Sequence, residues 1–185
     1  MLDTALLVSA LTGATAILAS WVGSKGSTRA AQIQAQTSRA AQEAESMRVS
    51  RRAAYVEVVH RAHVVGERFI DVLPAVSLSD PAARASALRE VLQRHAQLHA
   101  EMMRAVHTAH IEGPDDVVQA ADRLATASTQ VYLAVHAMAE DAAVHSPHFD
   151  EGYFKFWEAL SDFTSLARRS IHHTQSVQQQ PPQDS

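Results

Sequence analysis

Between Asp3 and Lys25 the chain runs for twenty-one residues without a charged side chain. At about 1.5 Å of rise per residue, a helix over Thr4–Ser24 is about 30 Å long, the thickness of a bilayer's hydrocarbon core. Leu6, Leu7, Val8, Leu11, Ile17, Leu18 and Val22 supply apolar surface, and five alanines fill in as strong helix formers. Ser9, Thr12 and Thr15 can return their hydroxyls to the helix's own carbonyls. Trp21 stands one turn before Lys25, where an interfacial aromatic belongs. A core helix would carry a polar stripe, and this run has none. A cleaved secretory signal is the competing reading, since Ala14-Thr15-Ala16 resembles a cleavage site. That reading lacks its basic n-region, because the chain opens Met1-Leu2-Asp3. Residues 1–25 are therefore expected to be a single transmembrane anchor.

Orientation follows from positive charge. No basic side chain precedes the run, and Lys25, Arg29 and Arg39 follow it. The positive-inside rule puts that flank in the cytoplasm and the N-terminus outside. The expected location is the cell membrane, crossed once, with the bilayer as first partner. Small residues recur at spacing four, as in Ser9 with Gly13 and Ala10 with Ala14. Such pairs let helices approach closely in lipid, so Ser9 and Gly13 are candidates for self-association, with Trp21, Lys25 and Arg29 as membrane contacts.

Charge is divided unevenly along the chain. Ser24–Phe69 carries eight basic and four acidic residues, and Ile70–Ser185 carries eight basic and fifteen acidic. The basic part adjoins the expected anchor, where an anionic leaflet would attract it. The acidic part is a poor surface for nucleic acid, which is not expected as a partner. Without cysteine there are no disulfides and no thiolate metal sites. The bias of 14 Arg over 2 Lys, with abundant Ala, marks a GC-rich, bacterial type of coding sequence. Scarce Gly and Pro, six of each, favour long helices over sheets.

Residues 26–52 read as a helical stalk, rich in helix formers and poor in large apolar residues. With Ala30, Thr37 and Ala44 at a, Ile33, Ala40 and Met47 fall at d, a thin coiled-coil seam that competes with a solvated connector. From Ala53 the apolar residues thicken at helical spacing, through Tyr55, Val58, Val59, Ala62, Val65, Phe69, Ile70 and Leu73. That helix should end before Pro74, with a loop to Ser79. Asp80-Pro81 predicts an N-cap and first helical residue, for a helix ending at Gly113-Pro114. Its inner face is Leu88, Val91, Leu92, His95, Leu98, Met102 and Val106. A third helix starts at Pro114, with the stripe Val117, Ala121, Leu124, Ser128, Val131, Val135 and Met138, and is expected to stop at Ser146-Pro147. A fourth starts near Asp150, with Phe149 and Phe154 placed as a hydrophobic staple. The expected fold is all-α: anchor (1–25), stalk (26–52), an antiparallel four-helix bundle (53–173) and a disordered tail (174–185).

Eleven histidines are the one unusual enrichment. His95 and His99 are four apart, and His110 falls on the same side of a helix. Metal binding needs imidazoles converging from facing helices, usually with a carboxylate, and no His-Glu-x-x-His occurs. Structural or surface roles are the simpler reading, and no cofactor is expected. The carboxylate pairs Asp115-Asp116, Glu140-Asp141 and Asp150-Glu151 all sit at expected helix ends, where capping explains them. Arg51-Arg52 reads as a solvated basic face, with anionic lipid or a partner as the alternative. There is no phosphate loop and no nucleophile elbow, so an enzyme is not expected. The sequence points to a membrane-anchored interaction or scaffold protein with an unidentified protein partner. A tethered small-molecule or histidine-based metal sensor is the alternative.

Overall fold

The computed structural model describes the backbone over residues 2–141 and 147–178, and side chains at 29, 31–141 and 148–172. It is helical throughout: α1 (Leu2–Arg68), a 3-10 turn (Phe69–Asp71), and then α2 (Val72–Val76), α3 (Pro81–Glu112), α4 (Asp115–Glu140) and α5 (Pro147–Gln178). The chain divides into two compact units at the Ser46/Met47 junction. In the first, the side chains described from residue 31 onward are exposed, save a half-buried Ala44. Ile33, at an expected d position, is 57% exposed, and Thr37 Oγ1 donates back to its carbonyl at 2.9 Å. The anchor residues Ser9, Gly13, Trp21 and Lys25 lie outside the described side chains; Arg29 is exposed. Among the described residues, no helix is long and apolar enough to cross a membrane.

The second unit is a bundle of α3, α4, α5 and the part of α1 from Met47 onward. The α1 segment runs antiparallel to α3: Arg51 reaches Glu112, Arg61 reaches Glu101, and Phe69 meets His95. It runs antiparallel to α5 as well, with Tyr55 against Phe163 and Gly66 against Phe156 and Trp157. Tyr55, Phe156, Phe163, Leu88, Met102 and Leu124 are the largest fully buried side chains. Burying each aliphatic or aromatic side chain of this size stabilises the fold by about 1.5–3 kcal/mol. The whole expected stripe of α4, from Val117 to Met138, is buried.

Helix ends follow local chemistry. Asp80 caps α3, its Oδ2 accepting from the Ala83 amide at 3.0 Å, with Pro81 in the first turn. At the other end of α3, the Arg51 Nε–H donates to the Glu112 carbonyl at 2.6 Å. A cation at a helix C-terminus also meets the negative end of the macrodipole. Arg51 is thus part of the bundle's architecture and not of a solvated basic face.

Several expectations need correction. The segment 74–79 is not all loop, because α2 passes through Pro74. The 3-10 turn restarts the helix at Val72, so Pro74 sits in a first turn, where its missing N–H costs nothing. The same rewinding turns Val72 and Ala75 inward and leaves Ile70 and Leu73 52% and 54% exposed. The third helix stops at Glu140, and the fourth begins at Pro147, ahead of Asp150. Phe154 is 70% exposed and closes no staple; Phe149 stacks instead on Tyr153, ring centroids 5.9 Å apart. At the C-terminus α5 continues to Gln178, past the expected start of the tail at Thr174, and 179–185 lie outside the described residues.

Candidate functional site

The histidines singled out by the sequence have separate partners. His95 is 2% exposed on α3, and its Nδ1–H donates to the Val91 carbonyl at 3.0 Å. Its ring stacks on Phe69 at 4.8 Å, and the buried Nε2 has no hydrogen-bond partner among the described residues. One turn on, His99 Nδ1 shares a 3.1 Å hydrogen bond with the fully buried Ser128 hydroxyl of α4. The His99 ring stacks on Tyr132. Burial pushes the pKa of both imidazoles below the ordinary histidine value, and in His99 the neighbouring His95 adds to the effect. Neutral rings are the form that such an interior tolerates. His110 Nε2 lies 3.0 Å from Asp122 Oδ1, without the alignment of a hydrogen bond. No group of three or more His, Asp or Glu able to hold a metal occurs among the described residues. His95, His99 and His110 therefore line one side of α3 without converging on a common point.

The bundle's open surface lies elsewhere, between α1 and α5. A groove of about 600 Å³ runs there, floored by Tyr55, Val56, Val59, Ala167 and Ile171. Arg52, His60, Thr164, Arg168 and His172 complete its lining, so it has basic groups and no acid. Val56 is 60% exposed, an apolar side chain left in water along the groove. Tyr55 forms the inner wall. Its hydroxyl lies beside Ser170, and burial raises its pKa above that of an ordinary tyrosine. Because α1 and α5 are antiparallel, Arg52, Arg168 and His172 gather at one end and His60 stands toward the other.

Two other clefts show what is unusual here. The cleft between α4 and α5 holds Asp122, Glu158 and Asp162 with Arg123 and Lys155. Between α1 and α3, Glu57 and Glu101 face Arg61 and Arg104. There Arg61 bridges both acids, at 2.7 and 2.5 Å. Those two clefts set acids against bases, and the α1–α5 groove has basic groups alone.

The sequence alone does not single out this groove. Its signal is present but divided across the chain. Arg52, Val56, Val59 and His60 repeat the spacing of Thr164, Arg168, Ile171 and His172, at positions 0, 4, 7 and 8 of two helices. Each set alone looks like an ordinary amphipathic boundary, and only the pairing of α1 with α5 joins them.

No protein-family model matches this chain, and no curated protein or solved structure matches it. Its function has to be argued from the residues themselves.

Proposed function

We propose that the chain is a single-pass, membrane-anchored helical interaction module. The N-terminus faces out, the helical bundle lies in the cytoplasm, and the bundle offers its surface to a partner. The uncharged run Thr4–Ser24, followed by Lys25 and Arg29, carries this reading. Residues 26–46 then act as a spacer. The small residues Ser9 and Gly13, with the thin seam through Ile33 and Ala40, support lateral self-association, since anchoring raises the effective concentration of copies in the plane.

Fractionation tests the anchor. The full chain should stay with membranes through alkaline carbonate extraction, and release into the supernatant would refute it. The absence of native cysteine makes the topology directly measurable. A Leu2→Cys label should react with an impermeant maleimide from outside the cell, and a Gln175→Cys label should not. Crosslinking of the full chain should show dimers or larger clusters, weakened by Gly13→Ile and altered by Ala40→Leu.

The small-molecule form of the sensor reading has one specific observation in its favour, the apolar, cation-rimmed groove. The metal form gains no such support, because His95, His99 and His110 each answer to a different neighbour.

A further inference from the structure

We propose that the α1–α5 groove binds a single-headed anionic amphiphile. The head is held between Arg52, Arg168 and His172, and the alkyl chain lies over Val56 and Val59. This gives a ligand class to the small-molecule reading and does not depend on the anchor.

Charge is the first argument. No acid lines the groove, and Arg52 and Arg168 have no ion-pair partner among the described residues. The nearby Glu57 is engaged by Arg61, while Glu158 and Asp162 line the α4–α5 cleft. An anion entering the groove therefore supplies counter-charge that the protein does not. Arginine in particular can meet a carboxylate or phosphate with two parallel N–H donors.

Shape is the second. The groove's volume falls within the range of small-ligand sites. Its helical walls, residues 52–60 and 164–172, are each about 12 Å long, room for roughly eight methylenes. Each methylene removed from water contributes about 0.8 kcal/mol. An acidic amphipathic helix is the competing occupant. Such a helix is about 10 Å across and would present acids along both sides. Three of the four basic groups here gather at one end, which suits one head and a trailing chain.

Photolabelling of the full-length protein tests this, in phosphatidylcholine nanodiscs or, if the chain purifies from the soluble fraction, in buffer. The probe is decanoic acid carrying a diazirine near its methyl end. Carbene adducts should map to peptides covering 52–60 and 164–172. Decanoate and octyl phosphate should both compete, and their ranking tells a carboxylate site from a phosphate site. Octyl glucoside and inorganic phosphate, each lacking one half of the ligand, should not compete. Arg52→Glu with Arg168→Glu should cut labelling about tenfold, the scale of losing charge-assisted contacts. Val56→Trp should block the chain, and Arg169→Glu, outside the lining, should leave labelling intact.

Adducts elsewhere, or equal protection by octyl glucoside or by inorganic phosphate, would overturn the proposal. So would a groove already covered by a second copy, seen as chain-to-chain crosslinks at the same peptides. A chain that fails carbonate extraction but labels at the groove loses the anchor and keeps the ligand site, so the two failures are distinguishable.

Discussion

The helices α1 and α5 meet closely around Gly66 and leave a groove between their side chains toward Arg52. At the close end, a Cβ on Gly66 would stand 2.7 Å from Trp157 Cζ2 and 2.8 Å from Phe156 Cε1. Only glycine lets the aromatic rings of α5 come so near the α1 backbone. Toward Arg52, α5 offers Thr164 and Ala167, too small to fill the space beside Val56 and Val59. Beneath the groove, Tyr55 meets Phe163 edge-on, ring centroids 6.0 Å apart. The same pair of helices thus holds the bundle together at one end and leaves apolar surface in water at the other. Packing explains the first, while the second makes sense as a surface kept for a ligand.

The close end should dominate stability. Gly66→Leu forces a branched side chain into two fixed rings and should cost about 3 kcal/mol, the upper range for overpacking. Chemical denaturation checks this, and a cost below about 1 kcal/mol would show that the contact has slack. Gly152 is the useful control, because a Cβ there meets Val131 Cγ2 at 3.3 Å. Alanine's helix propensity, worth about 1 kcal/mol over glycine, should largely offset that contact in Gly152→Ala.

The histidine side of α3 comes next in size. His95→Ala empties a buried, stacked position and should cost about 2–3 kcal/mol. His99→Ala removes the partner of a buried hydroxyl and should cost about 1 kcal/mol, since a helical serine can return its bond to a carbonyl. Untagged protein should carry no stoichiometric metal by elemental analysis. A metal lost on combined His95→Ala and His99→Ala would restore the metal reading.

Acidification probes the same residues without mutation. Both imidazoles have folded pKa values below the unfolded value of 6.5. Below pH 6.5 the unfolded chain therefore takes up protons that the native bundle refuses, and stability should fall as the pH drops. The fall should flatten once the pH passes below the folded values. Melting temperatures from pH 7.5 to 5 should show the decline, and His95→Leu with His99→Gln should flatten it. An unchanged slope would place the titrating groups elsewhere.

The smallest effect belongs to the open end. Arg52→Ser and Arg168→Ser alter exposed side chains and should shift stability by less than about 0.5 kcal/mol. A large loss would mean that these cations hold the bundle together and are not held ready for a ligand.

What could be read from the sequence was local. Asp80-Pro81 announces the start of α3 because a cap and a first-turn proline act within three residues. The α4 stripe is legible because its period of 3.6 persists over six turns. Ile70 and Leu73 misled because the pattern assumes one continuous α-helix, and a single 3-10 turn changes the register from Phe69 onward. His95 and His99 looked like possible ligands because spacing shows a shared face and not what stands opposite. Phe69, Ser128 and Tyr132 decide that, and they come from other elements. The groove was hidden for the same reason, its walls being more than a hundred residues apart in the chain.

Hydrogen–deuterium exchange of the full-length protein, with and without octyl phosphate below its micellar concentration, separates the two surfaces in one measurement. Slower exchange is predicted in peptides covering 52–60 and 164–172, with 95–99 and 128–132 unchanged. Protection confined to the histidine peptides, or none at the groove, would contradict the account.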